Sequence, residues 1–104
     1  MSNDTFTVIV RFQTEPDTQE EALRKIGAYV DEFLSRQPGF VRSFLSRNGD
    51  GTSIVHYARW QSESAFAAAG EKARAHPYLP ALMAYQPSAE RHHLWQSYGQ
   101  PEGD

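Results

Sequence analysis

His56 and Trp60 lie four residues apart in a run rich in aromatic and β-branched residues. Side chains in a strand alternate between faces, so positions four apart point the same way. At about 3.3 Å per residue, their Cα atoms would be roughly 13 Å apart, which could flank a flat molecule of about three fused rings. An imidazole can accept and return a proton near neutral pH, and an indole offers a stacking plane and an N–H donor. The spacing predicts a small-molecule site, although a hydrogen-bonded strand histidine beside a core tryptophan explains the same pattern.

His76 is a second candidate base, because it stands beside Pro77 and Tyr78 where a helix is predicted to end. A side chain in such a loop could close over a cavity. A cationic imidazole is also favoured at a helix C-terminus, where it compensates the helix dipole. Both interpretations of His76 stay open.

The adjacent pair His92 and His93 does not predict a metal site. Neighbouring residues of a strand point to opposite faces, so the two rings cannot bind one ion. The chain has no cysteine, which removes thiolate metal sites, iron–sulfur clusters and disulfides. We therefore expect no resident metal.

Alternating strands and helices surround these residues, and turn-forming residues separate them. Strands are predicted for residues 5–13 and 40–47, for a third segment that ends at Trp60 or Gln61, and for residues 89–98. Helices are predicted from Thr18 to the Pro38-Gly39 break and over residues 63–75, with a further helical turn over residues 78–84. The order β-α-β-β-α-β predicts an α+β fold of the ferredoxin-like, split βαβ kind with an antiparallel sheet.

Three local signals place the boundaries of these elements. Thr18 and Glu21 have the spacing of a capping box at the start of the first helix. The segment Asn48–Gly51 predicts the turn of a hairpin. Ser62 or Ser64 is predicted to cap the second helix.

The length of the chain predicts one domain, which we place at residues 1–98, followed by a disordered tail at residues 99–104. Helices in this fold cover only one face of the sheet. The first strand nevertheless carries apolar side chains on both faces, such as Val8 and Ile9, and the third strand repeats the pattern. A sheet that is apolar on both sides favours a face-to-face homodimer.

Charge and hydropathy exclude two classes of partner. The formal net charge is −3 and the basic residues are scattered, so nucleic acid, which needs a basic face, is not expected. No apolar stretch approaches the ~20 residues that span a bilayer, and the first residues lack the pattern of a signal peptide. We therefore expect a cytoplasmic protein without a membrane partner.

The segment from Ile54 to Phe66, with Trp60 near its middle, resembles the signature of the antibiotic biosynthesis monooxygenase (ABM) superfamily. The Gln37–Phe40 entry to the second strand and the His76–Tyr78 segment also match. The resemblance implies a dimeric ferredoxin-like α+β barrel with a pocket between sheet and helices in each subunit. It further implies oxidation of an anthrone-type or phenolic polyketide by O2 without metal or flavin, in secondary metabolite biosynthesis.

The resemblance also implies roles for individual residues. His56, where these enzymes often have Asn, would be the base or the hydrogen-bond donor to an enolate, and Trp60 would be a stacking wall and donor. The remaining substrate-binding residues are expected to be Phe33, Phe66, His76 and Tyr78. A deprotonated aromatic substrate can reduce O2 directly, so O2 is the expected co-substrate and no cofactor is expected.

Two alternatives stay open. A small dimeric protein that binds a polyketide, or assists its cyclisation without oxidation, would need the same pocket. The haem-degrading branch of the fold would need an axial His at the position where this chain has Gly70. Haem degradation is therefore the weaker alternative.

Overall fold

A four-stranded antiparallel sheet with helices on one face forms the protein, as seen in a computed structural model that describes residues 5–100. The strands are β1 (Phe6–Gln13), β2 (Phe40–Arg47), β3 (Ser53–Trp60) and β4 (Ser88–His93). The helices are α1 (Gln19–Glu32), α2 (Glu63–Ala73) and α3 (Leu79–Met83), with a short 3-10 helix at Leu34–Arg36. The sheet order β2-β3-β1-β4 confirms the predicted ferredoxin-like α+β fold.

The central strands β1 and β3 pair along their whole length, which fixes the side chains that share the helix-covered face. Val10 lies opposite His56, and Phe6 lies opposite Trp60. Because side chains alternate along each strand, the row that includes His56 and Trp60 faces the helices, as the sequence predicts. The buried apolar members of this face are Phe6, Val8, Phe12, Ile54, Ala58 and Trp60.

Packing under the helices divides into two clusters. The first cluster consists of Phe6, Val8, Ala58, Trp60 and Ala69. The second cluster consists of Phe12, Ala22, Ile26, Ile54 and Leu82. Val10 packs against both clusters, and its strand partner His56 belongs to neither. The middle of the sheet is therefore less tightly covered than its two ends.

The two helix N-termini differ from each other, and the predicted capping box is wrong. The hydroxyl of Thr18 accepts a hydrogen bond from the Glu15 N–H at 3.1 Å and donates one to the Glu15 carbonyl oxygen at 3.2 Å, but it accepts none from the N–H groups of the first turn of α1. Thr18 has helical backbone angles, whereas a capping side chain needs extended ones. Ser62 is extended and accepts a hydrogen bond from the Ala65 N–H at 3.1 Å, which confirms one of the two predicted caps of α2.

The last strand is shorter than predicted. It ends at His93, which pairs with Phe6 at the start of β1, and beyond that pair the Leu94 N–H donates one more backbone hydrogen bond, to the Thr5 carbonyl oxygen at 3.2 Å. Residues 94–100 lie outside the sheet, and Trp95 and Tyr98 are strongly exposed. Residues 101–104 of the predicted tail lie outside the described residues.

The face of the sheet opposite the helices carries exposed large apolar side chains. Phe44 of β2 lies beside Tyr57 of β3, and their ring centroids are 6.2 Å apart. Val41 is also exposed. None of the helices within residues 5–100 has both the length and the apolar character needed to span a bilayer.

Candidate active-site cavity

A cavity of about 310 Å³ lies between the helix-covered face of the sheet and the three helices. Its walls come from β1 and β3, from α1 and α2, and from the segment that contains α3 and leads into β4. They consist of Val8, Val10, Phe12, Ile26, Tyr29, Val30, Leu34, His56, Phe66, Ala69, Gly70, Ala73, Leu79, Leu82, Met83, Pro87 and Ala89. Among these described residues, His56 and Tyr29 alone bring nitrogen or oxygen atoms in their side chains.

His56 is the polar group on the sheet side of the cavity. Its side chain is buried, with a relative exposure of 5% for the residue, and its Nε2 atom has no hydrogen-bond partner among the described residues. Burial lowers the pKa of His56 from 6.5 to about 4, so the imidazole is neutral at pH 7. An unpaired buried polar atom costs about 1–3 kcal/mol of stability and calls for an explanation. Gln37 Oε1 and Trp60 Nε1 are also buried and unpaired among the described residues, but of these three residues His56 alone lines the cavity.

Tyr29 is the polar group on the helix side of the cavity. It lies on α1, three residues after Ile26 and therefore on the same side of the helix. Burial raises the pKa of its phenol, so Tyr29 keeps its proton at neutral pH and acts as a donor rather than a base. The cavity thus offers one acceptor-competent imidazole and one phenol in an apolar wall.

Trp60 lies outside the cavity wall, contrary to the expectation that the indole and the imidazole would flank one space. Its ring is fully buried and packs edge-on against Phe40 at 5.3 Å and Phe66 at 5.6 Å between centroids. The positions of Trp60 and His56 differ in the side chains that pack over them. The rings of Phe40 and Phe66 pack on Trp60, with Phe6 in the same cluster, whereas beyond Phe66 helix α2 lines the cavity only with the small residues Ala69, Gly70 and Ala73.

Phe66 joins the packed region to the cavity. It lies on the first turns of α2, lines the cavity and contacts the rings of Trp60 and Phe6. Phe66, a predicted substrate-binding residue, therefore lies in the cavity wall, and its role in binding stays a prediction. Trp60 packs with the cavity-lining residues Phe66, Val8 and Ala69, and its role as a stacking wall also stays a prediction.

The other predicted site residues gather in an aromatic cluster between α1 and the segment before α3. This α1–α3 aromatic cluster consists of Tyr29, Phe33, His76 and Tyr78. The ring of His76 lies 5.4 Å from that of Tyr29 and 4.7 Å from that of Phe33. Its Nδ1 accepts a hydrogen bond from the Tyr78 N–H at 3.1 Å. Only Tyr29 of this cluster lines the cavity, so the roles predicted for Phe33, His76 and Tyr78 at the substrate stay predictions.

Tyr78 fastens the segment before α3 to α1. Its hydroxyl donates a hydrogen bond to a Glu32 carboxylate oxygen at 2.8 Å, and this contact raises the pKa of Tyr78. Helix α3 follows directly and places Leu79, Leu82 and Met83 in the cavity wall. The hydrogen bond of Tyr78 therefore helps to hold one side of the cavity in place.

Within residues 5–100, no three His, Asp or Glu side chains come close enough together to hold a metal ion. The ring of His92 lies 3.2 Å from a Glu90 carboxylate oxygen, and the ring of His93 packs against Phe6. Gly70 brings no ligand atom into the cavity. A haem iron would therefore find no axial histidine at that position.

Sequence reasoning missed Tyr29, Gly70 and the wall supplied by α3. Tyr29 had a usable signal, since it shares its helix face with Ile26 and Val30, both expected to face inward. Gly70 had no such signal in the sequence, because a residue without a side chain does not contribute to the hydrophobic pattern of a helix. The position of α3 depends on a loop whose path the residue types do not set.

The family profile of antibiotic biosynthesis monooxygenase matches residues 5–76 of the chain. The chain therefore belongs to the antibiotic biosynthesis monooxygenase family, and the expectation of a monooxygenase is confirmed at the level of the family. The predicted resemblance covered this range.

Three named relatives are similar to this chain. The tetracenomycin-F1 monooxygenase of Streptomyces glaucescens is 31% identical over 78 residues, which cover 75% of this chain and 70% of the relative. The monooxygenase from the gene ActVA-Orf6 of Streptomyces coelicolor, solved with nanaomycin D, is 25% identical with a TM-score of 0.80, covering 95% of each chain. A variant of SnoaB, a cofactor-independent oxygenase from Streptomyces nogalater, is 30% identical with a TM-score of 0.67, covering 95% of this chain and 99% of that one.

Proposed function

We propose that this protein oxidises a small phenolic or anthrone-type aromatic molecule with O2, without a metal or a flavin, in the biosynthesis of a polyketide-type secondary metabolite. The observation that carries the proposal is the unpaired, buried Nε2 atom of His56 beside an otherwise apolar cavity. The named relatives, all monooxygenases or oxygenases, support the same class of reaction.

The neutral imidazole suits the first step, which removes a proton from the bound ring system. With a pKa of about 4, His56 is in its acceptor form throughout the physiological range. Once the proton has moved, the imidazolium lies beside the enolate, and this opposite charge raises the pKa of the imidazole. The ion pair thus keeps the proton on His56 while the substrate is anionic.

The anionic ring is the reductant for O2. An anthrone carbanion transfers one electron to O2, and the two radicals combine at the ring carbon to give a peroxide anion, which takes the proton back from His56 and becomes a hydroperoxide. Loss of water from that hydroperoxide leaves the quinone carbonyl, so one oxygen atom enters the product and the other leaves as water. The apolar wall excludes bulk water during these steps and strengthens the ion pair at His56.

The other predicted residues take supporting roles in this proposal. Phe66 provides an aromatic wall, and Trp60 holds Phe66 in place. Tyr29 is placed to donate a hydrogen bond to a substrate oxygen. Phe33 and His76 pack against the ring of Tyr29 and orient it.

The decisive measurement is O2 uptake with anthrones and polycyclic hydroquinones in buffer free of metal and flavin. Turnover by the wild type is expected, and His56→Ala should lower kcat/KM by about 100-fold or more, the scale of general acid–base catalysis. His92→Ala is the matched control, because His92 is an exposed histidine of β4 outside the cavity wall. Turnover by His56→Ala close to that of the wild type would contradict the proposed role.

O2 uptake, combined with binding of the aromatic panel and a haem titration, separates oxidation from its alternatives. Binding of the aromatic panel without O2 uptake would favour a non-oxidative binding or cyclisation protein, which would use the same cavity. A Soret band at one haem per chain after haem titration would favour haem degradation instead.

We also propose that the protein is a cytoplasmic homodimer that pairs through the uncovered face of the sheet. Exposed apolar patches mark protein–protein contacts, and Phe44, Tyr57 and Val41 supply one on this face. Leu94 and Trp95 extend the exposed apolar surface beyond β4. Analytical ultracentrifugation at micromolar concentration should give the mass of a dimer, and the mass of a monomer would exclude it. The absence of cysteine suits a reducing compartment.

A further inference from the structure

We propose that Gly70 sets the upper size of the ring system that the cavity admits, because the space of its missing side chain is part of the ligand volume. The inference rests on the proposed function, and it assigns substrate size to one residue. Gly70 lies in the cavity wall on α2, on the same helix face as Phe66, Ala69 and Ala73.

The usual structural reasons for a glycine do not apply at this position. Gly70 lies inside a helix, and its φ is not positive, so no left-handed conformation requires it. A Cβ built on Gly70 would meet no atom within 4 Å in the described part of the chain beyond its own helix backbone. Neither backbone conformation nor close packing therefore excludes a side chain.

Glycine inside a helix destabilises a protein relative to alanine. At Gly70 neither a packing contact nor a backbone conformation compensates for this loss of stability. What it leaves is free space on the cavity side of α2. The cavity volume of about 310 Å³ is at the low end of the ~300–1,000 Å³ found for small-molecule sites. In a cavity with so little spare volume, one added methyl group should affect which ring systems fit.

Gly27 offers a matched control in the same protein. It lies inside α1, a Cβ built on it also meets no atom within 4 Å, and it is not among the described residues of the cavity wall. Substitution of either glycine by alanine should raise the melting temperature by about 3–6 °C. Only substitution at Gly70 should change ligand size preference.

The test measures binding by isothermal titration calorimetry with two probes that differ by one ring, a hydroxynaphthoquinone and a hydroxyanthraquinone, both of which are already quinones and are not substrates of the proposed oxidation. Gly70→Ala should weaken binding of the three-ring probe about tenfold and that of the two-ring probe by less than about twofold. Gly70→Leu should abolish binding of the three-ring probe. Gly27→Ala should bind both probes like the wild type.

The binding results distinguish a failure of the Gly70 assignment from a failure of the proposed function. If the wild type binds both probes and Gly70→Leu binds the three-ring probe equally well, the assignment to Gly70 is overturned while the proposed function stands. If the wild type binds neither probe, the aromatic ligand class fails and the inference fails with it. Selective loss of binding of the three-ring probe in Gly70→Ala supports the role of Gly70 in ligand size. This holds even if the protein takes up no O2 and the proposed oxidation is therefore wrong.

Discussion

Trp60 and His56 lie on the same face of the same strand, yet one is sealed in packed aromatic rings and the other borders a cavity. Trp60 is fully buried against Phe40 and Phe66. His56 is almost as buried, but it lines the cavity; a buried ring nitrogen is unpaired among the described residues in both, Nε2 of His56 and Nε1 of Trp60. The difference comes from the covering helix, which presents Phe66 near one position and small residues near the other.

This comparison separates two kinds of burial. Burial among close-packed rings gives stability, because each ring contributes many dispersion contacts and removes apolar surface from water. Burial beside a cavity lowers the pKa of His56, so the imidazole in the cavity wall is neutral at pH 7. The first region should therefore respond to mutation through the free energy of unfolding, and the second through activity and pH dependence.

Truncation of the packed side chain should give the largest effect on stability. Trp60→Ala should lower the free energy of unfolding by about 3–5 kcal/mol, because a fully buried indole leaves a large void. Urea denaturation followed by circular dichroism measures this value.

His56→Ala provides the contrast to Trp60→Ala under the same conditions. It should cost less than about 1 kcal/mol at pH 7, because the loss of contacts is offset by removal of an unpaired buried nitrogen. Equal losses for the two variants would contradict the distinction between the packed region and the cavity.

Acidification should destabilise the protein through His56. Its folded-state pKa of about 4 lies below the ordinary value of 6.5, so the unfolded chain takes up a proton first as the pH falls. The free energy of unfolding should therefore decrease between about pH 6.5 and about pH 4, by roughly 3 kcal/mol in total, and the loss should be complete below pH 4.

The variant His56→Leu isolates this contribution from other titrating groups. The difference in free energy of unfolding between His56→Leu and the wild type should increase as the pH falls through this window. Denaturation curves at several pH values measure that difference, and parallel pH profiles for the two proteins would show that His56 is not the group responsible.

Removal of the cap of α2 should have a smaller effect on stability than truncation of Trp60 or acidification. Ser62→Ala removes the acceptor of the Ala65 N–H and should lower the free energy of unfolding by about 1 kcal/mol. Thermal denaturation measures the change. Because the cap lies next to the packed region, binding of a two-ring probe in the cavity should stay within about twofold.

Ser64→Ala is the control for that substitution. Ser64 is exposed, and its hydroxyl lies 3.1 Å from that of Ser62 without capping the helix. Its replacement should change stability by less than about 0.5 kcal/mol. A larger loss for Ser64→Ala than for Ser62→Ala would show that the cap has been assigned to the wrong serine.

The sequence alone determined the order of strands and helices, the face that His56 and Trp60 share, and the family. These features depend on local rules: alternation along a strand, helical spacing of apolar residues, and turns at Pro, Gly and Asn. The predicted cap at Thr18 failed because its hydroxyl bonds to Glu15 in the preceding turn, and the last strand ends earlier than predicted, at His93, which pairs with Phe6 at the start of β1.

Only the tertiary structure decided which side chains border the cavity. It excluded Trp60 from the cavity wall, placed His76 and Tyr78 in the α1–α3 aromatic cluster with Tyr29, and brought Gly70 of α2 into the cavity wall. These outcomes depend on how residues distant in sequence fill space together. Residue type and spacing determine the face on which a side chain lies, whereas the helix packed above it determines whether that face meets another ring or a cavity.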